Sequence, residues 1–218
     1  MTSCTCCFGA VANEHFNKRI ARRDLDRYRK NGPTATARLL RDLLVDAGAL
    51  DGLLLDIGAG IGAVTFELLD RGVTRAILVD ASSSYLAAAS EEAANRGRSD
   101  ATQFVKGDFL DLAPELPVAT VVTLDRVVCC HPLYERLLDA SLEHAERRFA
   151  LSYPRDVWYV HLAVALENAF CWLRRNPFRA FVHPPDRMTQ IIERAGFTRL
   201  ARRRTWQWSV DVYARLGS

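Results

Sequence analysis

The chain has 218 residues, which at roughly 100 to 200 residues per domain is one domain with embellishments. Apolar side chains make up 49% and charged ones 25%, the balance of a globular protein with a sizeable core, so disorder, collagen-like repeats and a disulfide scaffold are excluded. The net charge of +3 is too mild to argue for a nucleic-acid partner.

That small sum hides a strong division. Residues 1–31 carry +4, residues 32–170 carry −8 and residues 171–218 carry +7. Twenty-six of the 29 cations are arginine, the side chain whose planar fork pairs with carboxylate or phosphate.

The first ten residues, MTSCTCCFGA, hold neither a basic segment nor an apolar run of signal-peptide length, so a cytoplasmic protein is expected. Cys4, Cys6 and Cys7 are spaced C-x-C-C rather than as the C-x₂-C pairs of structural zinc sites. Free thiols and no metal are expected. Residues 11–30 read as an amphipathic helix, with Phe16, Ile20, Leu25 and Tyr28 near helical spacing, and Asn31-Gly32-Pro33 stops it. Residues 1–32 thus form an N-terminal helical segment that can serve as a lid, with His15 and Tyr28 closing a site, and residues 33–218 form the main domain. Pro33 suits the first turn of a second helix, lined by Leu39, Leu40, Leu43 and Leu44 and capped at Gly48.

From Leu53 strands and helices alternate. The strands are short continuous apolar runs, as a parallel sheet covered on both faces requires. Strands are expected near 53–57, 75–80, 102–106, 119–124 and 148–153, and helices near 61–71, 83–96, 133–147, 156–174 and 185–195. The stretch from Trp158 to Leu173 is interrupted by His161, Glu167 and Asn168 and falls short of the ~20 apolar residues that span a bilayer. It is expected to lie against the sheet, with His161 as a core histidine and one flank lining an acceptor pocket. Strands at 197–205 and 206–214 follow Gly196 in immediate succession, an antiparallel pair at the end of the sheet. The arginines at 199, 202, 203 and 204 read as a solvated edge or an anion-binding surface.

The strongest chemical signal is Asp56-Ile57-Gly58-Ala59-Gly60-Ile61-Gly62, where a buried strand runs into three glycines and then a helix. Glycine permits positive φ and close approach of a nucleotide-type ligand to the backbone. Gly58, Gly60 and Ala63 also satisfy the relaxed dinucleotide fingerprint, so an NAD-dependent oxidoreductase competes. A cofactor-binding regulatory protein without turnover is a third reading. Asp56 two residues before the first glycine, the third glycine at 62 and the terminal strand pair favour neither dinucleotide nor decay. Asp80, at the end of the second strand, is placed to accept from ribose hydroxyls. Asp108 and Phe109, after the third strand, are placed to accept from an adenine amino group and to pack on the base.

Together with Asp125 at the end of Val121-Val122-Thr123-Leu124 and with Ala195-Gly196-Phe197 before the last strands, these motifs resemble class I S-adenosylmethionine-dependent methyltransferases over residues 34–214. The resemblance implies an α/β fold: a Rossmann-like, doubly wound seven-stranded sheet, mostly parallel with the last strand antiparallel, helices on both faces and extra N-terminal helices. It implies S-adenosyl-L-methionine bound across the strands' C-terminal edge. Asp56, Gly58, Gly60 and Gly62 would flank its amino-acid part, Asp80 the ribose and Asp108 and Phe109 the adenine, with Asp125 near the methyl group. Tyr153-Pro154-Arg155, the long apolar helix and His183-Pro184 are similar to the magnesium-protoporphyrin O-methyltransferase branch; the Cys4 cluster and the Cys129-Cys130-His131-Pro132 turn depart from that pattern.

Methyl transfer from a sulfonium requires mainly alignment, which is worth about 7 to 11 kcal/mol, and a base only where the acceptor must lose a proton. His131, just after the fourth strand, is the best base candidate; its competing role is to open the following helix. Tyr153 and Arg155 lie on the same edge, where Arg155 would fork onto a substrate carboxylate or pair with Asp156. The expected activity is O-methylation of a small, apolar acceptor, a carboxylate-bearing one included, with no nucleic-acid partner and no stable membrane insertion. The anionic character depends on the two basic ends of the chain meeting over one edge of the sheet.

Overall fold

The computed structural model describes residues 8–48 and 50–217. The Cys4, Cys6 and Cys7 cluster lies outside the described residues. Seven strands run in the order β3-β2-β1-β4-β5-β7-β6: β1 (Gly52–Ile57), β2 (Val73–Asp80), β3 (Thr102–Lys106), β4 (Ala119–Asp125), β5 (Ala145–Pro154), β6 (Phe197–Arg204) and β7 (Trp208–Arg215). All neighbours from β3 to β5 pair in parallel, and β7 pairs antiparallel with both β5 and β6. This is the Rossmann-like sheet expected from the sequence.

The continuous apolar strands are explained by two covered faces. Leu54, Ala76, Leu78, Val121 and Ala150 pack against α3 (Ala35–Ala47), α4 (Ala63–Leu69) and α5 (Ser83–Asn95), where Leu40, Leu44, Phe66 and Ala89 are buried. Leu55, Ile77, Val79, Val122 and Leu151 alternate with them onto the other face. There they meet Phe109 of α6 (Phe109–Leu112), Leu138 of α7 (Tyr134–Glu143) and Ile192 of α9 (Pro185–Arg194). Side chains on successive strand positions point to opposite faces, so neither face can be polar.

Three expectations change. The helix at 11–30 is two, α1 (Phe8–His15) and α2 (Lys18–Asn31), because Asn17 breaks it: its side chain accepts from the Arg19 and Ile20 amides and starts α2 afresh. The helix expected over 133–147 ends at Glu143, with the His144 ring pinned 2.8 Å from the Ala140 carbonyl and 2.9 Å from that of Ala113, and Ala145 already belongs to β5. The third change concerns α8 (Trp158–Leu173). Only Val160 and Cys171 are buried along it, and its apolar residues Trp158, Leu162, Leu166 and Phe170 face outward rather than onto the sheet. His161 is likewise exposed, bonded to Asp156 at 2.6 Å, so it is no core histidine.

Candidate functional site

Strand order reverses between β1 and β4, and in open α/β sheets ligands bind outside the carboxyl ends of the strands at such a point. A cavity of about 560 Å³ lies there. Asp56, Gly58, Gly60, Asp80, Asp108, Phe109, Asp125 and His131 all line it.

The glycine loop leaves β1 in left-handed conformations, with φ of +64° at Gly58, +57° at Gly60 and +79° at Gly62. The three glycines do different work. A Cβ on Gly58 would collide with Val127, and one on Gly62 would lie 2.7 Å from the Phe66 ring. A Cβ on Gly60 would meet nothing within 4 Å. Gly58 and Gly62 therefore serve close packing beneath the loop, while Gly60 keeps ligand space clear. Gly62 starts α4 and does not line the cavity.

The Gly60 amide donates to Asp80 Oδ2 at 2.8 Å and the Ser82 amide to Oδ1 at 2.7 Å. Burial pushes the Asp80 carboxyl up to about 6 in spite of these two donors. Asp56 is more enclosed. Its oxygens accept from the Thr123 and Thr65 hydroxyls at 2.7 and 2.8 Å, and burial pushes it up to about 7. Asp125 accepts from Ser152 Oγ at 2.5 Å and from Thr36 Oγ1 at 3.2 Å. Ser152 in turn accepts from the Arg126 amide, holding Arg126 at a φ of +59° where the chain turns off β4. Six hydroxyls or amides thus fix these carboxylates: those of Thr65, Thr123, Gly60, Ser82, Thr36 and Ser152. Sequence spacing gave no sign of Thr36, Thr123 and Ser152, which come from elements distant in the chain or from the middle of an apolar run.

Asp108 caps α6 through Oδ1 and the Leu110 amide, and its Oδ2 stands 3.6 Å from His131 Nε2. Phe109 packs into the sheet's core, edge-on to His144, with only part of its surface on the cavity wall. His131 is buried beside Phe8. Its Nδ1 accepts from the Leu133 amide at 3.1 Å, so in the neutral ring the proton sits on Nε2, which has no hydrogen-bond partner. The nitrogen a general base would need is the one already occupied.

Tyr153 and Arg155 are not on the cavity wall. The Tyr153 side chain is buried in the core, its hydroxyl donating to Asp211 at 3.0 Å and accepting from Arg202 at 2.9 Å, and burial raises its pKa. Arg155 donates to Tyr159 Oη and to the carbonyls of Thr205 and Trp206, tying the β6–β7 turn to α8. Pro154 between them lines the cavity, but both side chains turn away to Asp211 and to the β6–β7 turn.

Two parts of the cavity's roof, the N-terminal segment with His15 and one flank of the long apolar helix, were expected at the site, and the segment 176–181 was not. The roof is made by α1, the inner flank of α8 and the segment 176–181, whose Phe178 and Ala180 pack with Cys171, Val11, Phe16 and Val164. His15 stacks on Phe178 at 3.9 Å. Asn176 Oδ1 accepts from the Phe178 amide, so its Nδ2 donates to His15 Nδ1 at 3.0 Å. Tyr28 also reaches the wall, its hydroxyl donating to Glu67. The thiols of Cys129 and Cys130 face Arg126's carbonyl, 3.6 Å from each other. Among the described residues no group of three metal-ligating side chains is assembled.

The two ends of the chain touch through His15, Asn176 and Phe178, but their arginines do not gather over the cavity. Arg23 and Arg27 of α2 line the cavity with Arg38 and Arg126, but no arginine of residues 171–218 does. Four of the ten C-terminal arginines lie on β6, where Arg202 is spent on Asp211 at 2.6 Å, and Arg174 and Arg175 follow α8.

Residues 54–154 match the family model of a methyltransferase domain. The chain carries the catalytic domain of an S-adenosylmethionine-dependent methyltransferase. No curated protein matches it in sequence. In fold, the methyltransferase resembles magnesium protoporphyrin IX methyltransferase from Synechocystis PCC 6803 with bound SAH (TM-score 0.73, 19% identity, 94% of this chain and 99% of that one). It also resembles an O-methyltransferase family protein from Burkholderia thailandensis (0.70, 16%, 92% and 61%). A third likeness is to an O-methyltransferase family 2 protein from Planctomyces limnophilus in complex with apigenin (0.66, 17%, 92% and 62%). S-adenosylmethionine is the cofactor, and the open space over Gly60, ringed by acidic side chains, suits a cationic ligand with hydroxyl groups. Among the described residues no helix is long and apolar enough to cross a membrane.

Proposed function

We propose that the methyltransferase methylates a carboxylate oxygen of a small, largely apolar acceptor. The observation that carries this reading is the state of the two histidines on the cavity wall. Both His131 and His15 have Nδ1 filled by a donor, the Leu133 amide and the Asn176 side chain. Asp56 is likewise filled by two threonines and Asp80 by two backbone amides. A hydroxyl or amine acceptor needs a poised base; a carboxylate is ionised at neutral pH and needs none. The apolar wall of Phe8, Phe16, Val164 and Phe178 suits a hydrocarbon body, and Arg27, in no ion pair among the described residues, supplies a fork for the acid.

In this reading Asp56 and the loop hold the amino-acid part of the cofactor, Asp80 the ribose and Asp108 the adenine. Asp125, oriented by Ser152 and Thr36, borders the reacting centre. S-adenosylmethionine, when bound, supplies an already activated methyl group. The protein's part is to align the acceptor and exclude water, which the roof of α1, α8 and residues 176–181 does by covering the cavity with apolar surface.

The test is the chemistry of the labelled product. Protein incubated with methyl-labelled cofactor and a metabolite extract should yield a label that mild alkali releases as methanol, because only an ester is so cleaved. An alkali-stable label, as in an ether or methylamine, would overturn the carboxylate assignment and leave the methyltransferase intact.

A further inference from the structure

Helix α8 has two apolar sides, and only one of them is covered. Its inner flank, Val160, Ala163 and Val164, walls the cavity. On the outer flank Trp158, Leu162, Leu166 and Phe170 repeat every fourth residue, which places them along one ridge of the helix surface. They are 77%, 53%, 63% and 54% exposed. Trp172 and Leu173 extend the ridge at its C-terminal end. At its N-terminal end Trp206, also exposed, stacks on Tyr159 at 5.0 Å and 10°. The apolar face of a helix is ordinarily turned to a core, and a contiguous exposed apolar patch of this kind marks an interaction surface.

The charges around the patch say what covers it. Arg174 and Arg175 follow α8 directly, and Arg203 and Arg204 precede the Thr205–Trp206 turn that packs on its first turn. All four are exposed and none is in an ion pair among the described residues, in contrast to Arg202, Arg22 and Arg29, which are held by carboxylates. Cations therefore bracket a hydrocarbon ridge of sixteen residues, about 24 Å long at 1.5 Å per residue. Tryptophans stand at both ends, where amphipathic indoles sit in a headgroup layer.

We infer that this face docks the protein peripherally on a bilayer surface containing anionic lipid, with α8 lying in the interfacial plane. The apolar ridge enters the acyl boundary, and the arginines at both ends pair with headgroup phosphates. A second copy of the chain is a poorer occupant, since it brings the same unpaired arginines, while its nearest carboxylates are Asp156, already paired with His161, and Glu167, on the cavity flank of α8. Docking on this face sets the outer side of a cavity wall against the membrane, so an apolar acceptor partitioned into the bilayer reaches the cavity from the surface where it is concentrated. No helix needs to span the bilayer for this.

The experiment uses the full chain and vesicles of phosphatidylcholine, with and without a quarter of phosphatidylglycerol. Co-sedimentation and tryptophan emission are read, with light scattering for mass. The expected result is binding to the anionic vesicles, a blue shift in emission, and at least about tenfold weaker binding to neutral vesicles or in high salt. Leu162→Glu with Leu166→Glu should abolish binding to both, and Arg174→Gln with Arg175→Gln should weaken only the anionic component. Calorimetric cofactor binding, which needs no acceptor, checks that each variant is folded and keeps this test separate from the carboxylate reading. Wild-type protein that ignores both vesicles, binds them equally, or scatters as a dimer that the glutamates split would overturn the proposal.

Discussion

The floor and the roof of the cavity are built by different means. The floor is backbone and carboxylate: glycines at positive φ, and Asp56, Asp80 and Asp125 each held by two hydroxyl or amide donors. The roof is mainly side-chain packing, His15 on Phe178 and Phe16 among Cys171, Ala180 and Val164, pinned by Asn176 and Asn168. A floor of fixed dipoles suits a ligand that is the same in every turnover, because its groups must meet donors and acceptors at set positions. A roof of apolar surface suits an acceptor recognised by shape, and can be rebuilt without disturbing the floor.

The largest expected effect separates ligand space from packing within the floor itself. Gly60→Val should cost roughly a hundredfold or more in cofactor affinity, since its side chain enters the open cavity. It should lower stability only by the ~1–2 kcal/mol of a left-handed non-glycine residue. Gly58→Val should do the reverse, destabilising the fold through collision with Val127. Paired calorimetry and thermal melts check both; equal loss of stability in the two variants would erase the distinction.

This division also explains what the sequence could tell. The loop, Asp80 and the strand order are legible because glycine spacing and strand-end acids encode local backbone geometry. Most expected site residues that line the cavity come from this part, joined by His131, His15 and Tyr28. Tyr153 and Arg155 were misjudged because sharing an edge of the sheet does not fix which way a side chain leaves it; Asp211 and the β6–β7 turn claim them. Helix α8 was expected to be buried because its apolar count is high, but periodicity does not say which partner covers an apolar face. Charge along the chain is as silent about place: four of the ten C-terminal arginines lie on β6 at the sheet's far edge, and none of the ten lines the cavity.

A second, smaller effect probes the floor's electrostatics. In the ligand-free protein Asp56 is pushed up to about 7, so below that pH it holds a proton and offers no charge to a cationic cofactor. Affinity should rise about tenfold per pH unit toward 7 and level off above it. Asp80, pushed up to about 6, acts with the same sign over a window ending lower. The stability of the empty protein should run the other way. A carboxyl whose folded pKa lies above its ordinary 3.8 binds its proton more tightly when folded, so this stability is full below about 4 and is lost as pH rises to about 7. Asp56→Asn should flatten both slopes down to the Asp80 part, raising the melting temperature of the empty protein above neutrality while weakening the cofactor. Unchanged slopes in the variant would show that Asp56 is not the titrating group.

The smallest expected effect falls where floor meets roof. His131 stands on the loop after β4, its ring against Phe8 of α1 and its Nε2 toward Asp108. With Nδ1 filled by the Leu133 amide, it can donate through Nε2 but not accept. His131→Gln keeps a side-chain donor near Asp108 and removes any imidazole. Cofactor affinity should fall only a few-fold, and kcat should stay within about threefold with an unaltered pH profile, because a carboxylate acceptor asks for no proton removal. Loss of a catalytic base would instead cost roughly a hundredfold to ten-thousandfold in kcat and remove a limb from the profile. That larger result would return the chemistry to His131 and with it a hydroxyl or amine acceptor; the smaller one leaves His131 as the hinge pin between a polar floor and an apolar roof.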